Sequence, residues 1–225
     1  MPIITLPDGS LKTYNSTVTP LKIAEDISNS LKKSSVIAKV NGEYWDLSRE
    51  ILEDSKVAII KKGDPETIDI IRHDCAHILA EAVLEIFPET QVTIGPVIEN
   101  GFYYDFYRKT PFTTEDLAII EKRMHEIVNR NESINREVLS RDDALKFYKD
   151  KNEPFKVELI RDIPSDQQLT FYNQGLFTDL CRGPHLRSTQ DTGHAFKLMS
   201  VAGAYWRGDS NKPMLQRIYG TAWIN

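Results

Sequence analysis

Apolar positions over residues 1–62 come in short runs separated by turn signals. Ile3 to Leu6 and Leu11 to Tyr14 flank Asp8-Gly9 and predict a hairpin. Thr19-Pro20 then offers an N-cap and a first-turn proline for a short helix through Ile23, Ala24 and Ile27. Val36 to Val40 and Glu43 to Trp45 flank Asn41-Gly42, a second hairpin signal. Val57 to Ile60 closes the sheet before the polar linker Lys61-Lys62-Gly63-Asp64. A sheet with one helix on this scale is a β-grasp-like pattern, and it predicts a small first domain over residues 1–62.

From residue 63 onward the period changes. Asp64 as cap, Pro65 at the first position and Pro88 as stop bracket a long helix running to Phe87. At 100° per residue Ile68, Ile71, Cys75, Leu79, Ala82 and Ile86 share one face, the expected core seam. His73 and His77 fall on the opposite side with Ile70, Ala80 and Leu84, so that side reads as a cleft wall and not as a solvent face. Strands are expected over Gln91 to Ile98 and Phe102 to Phe106. Thr113 to Asn129 reads as an amphipathic helix with Asp116 completing a capping box, and Arg141 to Tyr148 as a shorter one. From Gln168 the chain is mostly β with Gly and Pro punctuation. The second domain, residues 63–225, is thus α+β, a long helix against an antiparallel sheet.

Composition narrows the class. The chain has 225 residues, 40% hydrophobic and 27% charged, the balance of a globular protein. No apolar run reaches the roughly 18 residues of a membrane span, and the first residues lack the features of a signal peptide, so a cytoplasmic protein with no membrane partner is expected. Two cysteines, Cys75 and Cys181, are too few for a disulfide framework. Asn15-Ser16-Thr17 and Asn131-Glu132-Ser133 fit the glycosylation pattern but have no use without secretion. Lys and Arg number 28 against 33 Asp and Glu, a net charge of −5 that argues against nonspecific coating of nucleic acid. A local exception is Arg182, Arg187, Lys197, Arg207, Lys212 and Arg217, set against Asp191 and Asp209 only. By itself such a stretch reads as a solvated face.

Two short segments concentrate the reactive side chains. His73 and His77 stand four apart on a helix and project the same way. In Asp179-Leu180-Cys181-Arg182-Gly183-Pro184-His185 a thiol and an imidazole four apart flank a Gly-Pro turn. Three imidazoles and a thiolate would complete a tetrahedral zinc set. The alternative is a metal-free polar pocket in which histidines and Lys156 orient water and substrate. Spacing alone does not choose between them. Read alone, Lys156 is a surface cation and Tyr104 a half-buried strand residue, and His125 and His194, lacking a partner motif, are structural.

Four motifs in order then resemble the amino-terminal part of bacterial threonyl-tRNA synthetases. They are Ile71-Arg72-His73-Asp74-Cys75-Ala76-His77; Ile94-Gly95-Pro96 with Glu99-Asn100-Gly101-Phe102-Tyr103-Tyr104-Asp105; the segment Asp179 to His185; and Gln216-Arg217-Ile218-Tyr219-Gly220-Thr221-Ala222-Trp223. The resemblance implies a ubiquitin-like TGS domain followed by an editing domain. It further implies that the family's aminoacylation core, with its ATP, magnesium and zinc sites, would follow Trp223, so that this chain should not charge tRNA. The full enzyme is expected to be a homodimer through that core, and this piece a monomer.

Serine differs from threonine by one methyl, worth only about 1–3 kcal/mol in a pocket, so a second hydrolytic site is the expected remedy. By resemblance, the chain should hydrolyse the ester of seryl-tRNA(Thr) at the tRNA acceptor end, with water as nucleophile and threonine excluded by its methyl. His73, His77, Cys181, His185 and Lys156 would be the catalytic group, with Asp179 binding the α-ammonium, Tyr104 stacking near the terminal adenosine and Gly95 lining the substrate. The threonyl branch implies no metal, whereas the similar alanyl editing domain places zinc on the same His, His, Cys, His layout. The alternatives are therefore a zinc-dependent deacylase of the alanyl type and a nonenzymatic RNA- or protein-binding module. The basic stretch from Arg182 to Arg217 is expected to guide the acceptor end.

Overall fold

The computed structural model describes residues 1–224. The first unit comprises β1 (Ile3–Thr5), β2 (Leu11–Thr13), α1 (Pro20–Ile27), α2 (Asn29–Ser34), β3 (Ser35–Val40), β4 (Glu43–Trp45) and β5 (Ser55–Lys61). Its sheet runs β2-β1-β5-β3-β4, with β1 and β5 parallel at the centre and the remaining pairs antiparallel. That is the β-grasp arrangement. Ile4, Val18, Ile23, Ala38, Val40, Leu47, Ile51 and Val57 fill the space between sheet and α1. Thr19 caps α1 by accepting from the Lys22 amide, as Thr19-Pro20 predicted. The short helix α2 was not anticipated; Ser28 caps it, and no residue on it is buried.

The second unit opens with a 3-10 turn at Pro65–Thr67, followed by α3 (Ile68–Ile86). Asp64 spends its side chain on the Lys61 amide and not on a helix cap, so the α-helix proper starts later than expected. There follow β6 (Gln91–Val92), β7 (Val97–Ile98), β8 (Gly101–Tyr107), α4 (Thr114–Arg130), β9 (Asn135–Leu139), α5 (Arg141–Asp150) and α6 (Pro154–Asp162). The chain ends in β10 (Leu169–Gln174), β11 (Phe177–Leu180), β12 (Phe196–Tyr205) and β13 (Met214–Ala222). One sheet has the order β12-β13-β8-β6 with β7 also on β8, and a smaller sheet has the order β11-β10-β9; all pairs are antiparallel.

The expected strand Gln91 to Ile98 is broken. Both the amide and the hydroxyl of Thr93 donate to Asp105 O, and the irregular Ile94-Gly95-Pro96 stretch stays tied to β8, Ile94 O accepting from the Asp105 amide and Pro96 O from the Tyr103 amide. Strand β9 and helix α6 were missed. The capping box of α4 is present in full.

Helix α3 packs on β8 and β13 on one side and on α4 on another, and its residues 70–72 and 74–83 are all buried. Ile68 and Ile86, the ends of the predicted seam, are only half-buried. Val36, Ile37 and Ile60 of the first unit belong to the same buried cluster as α3, so the two units share apolar packing.

Candidate functional site

The buried length of α3 brings its histidines to the interior end of the β10–β11 hairpin. His73, half-buried, and His77, 2% exposed, lie one turn apart with ring centroids 4.8 Å from each other. After β11 the chain runs irregularly through Cys181 to Leu186, anchored where Thr170 O accepts from the Cys181 amide at 3.0 Å. Gly183 has φ +68° and sits against Tyr172, whose hydroxyl occupies the space a Cβ would need. Only glycine fits there.

This turn delivers His185 to the two helix imidazoles, 4.6 Å from His73 and 4.4 Å from His77 between ring centroids. Cys181 Sγ lies 2.9 Å from His73 Nε2 and 3.4 Å from His185 Nε2, and it accepts from the Gly183 amide at 3.2 Å. The ligand-capable atoms of His73, His77, Cys181 and His185 all fall within 4.8 Å of one another. The two motifs, more than a hundred residues apart in the chain, therefore converge as the sequence led us to expect.

Burial sets the protonation of this cluster. Desolvation holds His73 and His185 down at about 4, with the like charge of His185 adding to the effect on His73, and it holds His77 well below the usual imidazole range. All three are neutral near pH 7. Burial also pushes the Cys181 thiol up to about 12, the Gly183 amide opposing it. A thiol in that state is a weak nucleophile. His77 Nδ1 is buried without a hydrogen-bond partner.

Carboxylates stand behind the imidazoles. Asp74 Oδ1 meets His185 Nδ1 at 2.7 Å, while Asp74 Oδ2 accepts from the Leu186 amide at 3.1 Å. Burial pushes the Asp74 carboxyl up to about 8, so its protonation decides whether His185 Nε2 faces Cys181 as a lone pair or as an N–H. On the other flank Asp179 forms an ion pair with Lys156, accepts from Tyr104 OH at 2.7 Å and Tyr148 OH at 3.4 Å, and lies 3.8 Å from His77 Nε2.

Several expectations need correction. Lys156 is no surface cation: α6 buries its side chain to 2% exposure, where the charge is balanced by Asp179. Asp179 in turn already holds a cation, so an incoming α-ammonium would have to share it. Tyr104 is fully buried, stacked on Phe106 at 4.9 Å with Gly95 against its ring, and cannot stack on a nucleotide base. Gly95 is a contact for that ring, since a Cβ at 95 would overlap it.

The basic stretch is largely neutralised. Arg187 pairs with Asp191, Lys197 with Glu121, Arg207 with Glu158 and Asp162, Lys212 with Glu158 and Arg217 with Asp105. Arg182 differs: it is exposed, and its recorded partner is the Gln167 side chain at 3.4 Å. Beside it a groove of about 170 Å³ runs along Leu159, Ile163, Leu169 and Leu180 to Cys181.

Sequence reasoning missed Asp74, although it sits between the two helix histidines, because a carboxylate there signals nothing until His185 is placed. It also missed Tyr148, and it missed that His125 and His194 meet, Nδ1 to Nδ1 at 2.9 Å, with His125 stacked on Phe196. No helix among the described residues is long and apolar enough to cross a membrane.

Residues 2–61 match the family described as the TGS domain, and residues 169–219 match the threonyl and alanyl tRNA synthetase second additional domain. Over 223 residues, 99% of its length, the chain is 56% identical to the threonine-tRNA ligase of Granulibacter bethesdensis, covering 35% of that protein. It is 58% identical over 222 residues to the enzyme of a Chelativorans species, covering 34% of it, and 56% identical over 220 residues to that of Rickettsia peacockii, again covering 34%. The chain spans about a third of the length of these relatives. With both domain matches in order and the identity sustained throughout, the chain is similar along its whole length to the N-terminal region of the threonine-tRNA ligases.

Proposed function

We propose that this chain is the proofreading part of a threonine-tRNA ligase, with residues 1–62 as its TGS domain and 63–225 as its editing domain. It hydrolyses the ester of seryl-tRNA(Thr) at the acceptor end and spares threonyl-tRNA. The observation that carries this reading is the convergence of His73, His77, Cys181 and His185 within 4.8 Å, backed by the buried Lys156–Asp179 pair.

Neutral imidazoles offer lone pairs that hold and orient water at neutral pH, and a ring held at about 4 takes its proton only as the water adds to the ester carbonyl. His73, half-buried and so accessible, is the base assigned to water; His77 and His185 complete the wall, the latter oriented by Asp74. Lys156 supplies positive charge for the oxyanion that develops as water adds to the ester carbonyl. The substrate ammonium shares Asp179. Tyr104 holds that carboxylate from behind, and Gly95 makes room for Tyr104. Cys181 acts as a neutral donor or packing group, because its thiol stays protonated. The crowding of rings and thiol supports selection by size, the added methyl of threonine being what the cavity refuses. The acceptor end of tRNA enters past Arg182.

Zinc is the second reading, and the donor set fits it. Three imidazoles and a thiol close together, an unpartnered His77 Nδ1 and a carboxylate behind His185 are features of zinc sites. Ideal tetrahedral edges of about 3.3–3.6 Å would require the 2.9 Å His73–Cys181 contact to open. A bound zinc would supply Lewis acidity, and these four residues would hold it.

The deciding experiment incubates the chain with seryl- and threonyl-tRNA(Thr) and follows ester loss. Selective loss of the seryl ester supports the proposal; equal cleavage of both, or of neither, overturns it. Metal analysis and activity after chelation separate the two readings.

A further inference from the structure

We propose that Asp46, which belongs to the first unit, is a positioning residue for the His/Cys cluster of the second. This inference rests on the editing reading above. Asp46 follows β4, is 6% exposed and uses both carboxylate oxygens across the junction between the units. Oδ1 accepts from the His185 amide at 2.9 Å, and Oδ2 accepts from the Tyr172 hydroxyl at 2.8 Å.

Both partners bear on His185. The Tyr172 ring lies 4.3 Å from the His185 ring, and its hydroxyl fills the space beside Gly183 that shapes the turn. His185 is therefore gripped from two sides, at its backbone by Asp46 of the first unit and at Nδ1 by Asp74 of the second. Neither grip alone fixes the ring. Asp74 sets its tautomer and tilt, and Asp46 sets where the backbone beneath it stands.

Adhesion between the units does not account for this carboxylate. Val36, Ile37 and Ile60 already pack into the core around α3, and Arg187 reaches the Lys32 and Lys33 carbonyls at 3.2 and 3.3 Å. Apolar packing joins two surfaces without the desolvation penalty that a buried carboxylate carries, whereas a carboxylate with two directed bonds fixes geometry. Positioning is what Asp46 adds. The first unit, which contributes none of the cluster's own side chains, thereby determines whether the cluster is correctly arranged.

The test uses the 225-residue chain and its variants Asp46→Ala, Asp46→Asn and Tyr172→Phe. Hydrolysis of seryl-tRNA(Thr) should show kcat lowered roughly tenfold or more in D46A, the loss of a charge-assisted bond, with KM within about twofold. D46N keeps an acceptor for the His185 amide and should recover most of that loss; Y172F should fall between. In nitrogen-proton NMR spectra the His185 amide proton should move upfield in D46A while resonances of the β-grasp core stay in place. An unmoved His185 amide, a D46A kcat within about twofold of the parent, or a D46N as impaired as D46A would overturn the proposal. If D46A does not fold, D46N and Y172F decide by the same readouts. If the parent chain does not hydrolyse the ester, the editing reading fails and the NMR measurement alone judges Asp46.

Discussion

Asp74 and His185, 111 positions apart in the chain, meet with 2.7 Å between a carboxylate oxygen and Nδ1, and neither side chain is exposed. A carboxylate so placed fixes which ring nitrogen carries the proton, as in catalytic triads and metal–imidazole sites. Replacing it should lower activity without removing any group that touches substrate. Asp74→Asn is expected to reduce seryl-ester hydrolysis by about 10- to 100-fold, measured under single turnover; a rate within twofold of the parent would show that His185 needs no such partner.

A second prediction concerns pH. An ordinary imidazole loses its basic form below about 6.5, but burial keeps His73 neutral down to about 4. No acid limb from His73 is expected near pH 6.5, its own limb lying near pH 4, while Asp74, pushed up to about 8 by burial, is the group expected to bend the profile at its alkaline end. An acid limb centred near 6.5 in the rate profile would mean that another group supplies the base.

Cys181 should be inert. With its thiol pushed up to about 12, alkylation by iodoacetamide is expected to be slow at pH 7.5 and no acyl-enzyme should accumulate. Rapid labelling, or a trapped serine thioester seen by mass spectrometry, would reassign it as a nucleophile.

Of the basic stretch, Arg182 alone should matter to RNA. Arg182→Gln is expected to weaken tRNA binding and reduce the salt slope by about one. Arg217→Gln leaves Asp105 without its cation at 2.7 Å, so it should act on stability and not on the salt slope. A titration across salt concentrations showing equal slopes for both variants would remove Arg182 from the path of the acceptor end.

Glu81 should make stability fall at alkaline pH. It lies on α3 two turns beyond the histidines' start, accepts from the Gln174 side chain at 2.7 Å and has Glu132 and Glu85 for neighbours, with Arg130 at 3.9 Å. Burial first, and Glu132 after it, push its carboxyl from 4.5 up to about 8. The folded chain thus keeps a proton that the unfolded chain has released. The stabilisation is complete below pH 4.5 and is lost as pH rises through about 8. Glu81→Gln should shrink the drop in Tm between about pH 6 and about pH 9, and an unchanged drop would place the titration elsewhere.

Local chemistry made much of this legible. Thr19-Pro20, Asn41-Gly42 and the Thr113–Asp116 box each act within a few residues, and the elements they announce are present. The two i, i+4 pairs, His73 with His77 and Cys181 with His185, were each readable from short-range spacing, whereas their meeting in one site was implied by the resemblance to threonyl-tRNA synthetases. What escaped depends on distant partners. Lys156 looks like a surface cation until α6 turns it toward Asp179, and Tyr104 looks like a base platform until Gly95 and Phe106 enclose its ring. The charges of the C-terminal third looked free because the acids that neutralise them, Asp105, Glu121, Glu158 and Asp162, lie elsewhere in the chain.

The absence of a Cβ at Gly95 is what lets the Tyr104 ring lie where its hydroxyl reaches Asp179. A methyl at 95 would push the ring aside and break its bond to Asp179, so a change beside the sheet would be felt at the buried Lys156–Asp179 pair. The two positions therefore form one heritable unit: as long as Tyr104 keeps its bond to Asp179, descendants of this sequence should keep glycine at 95.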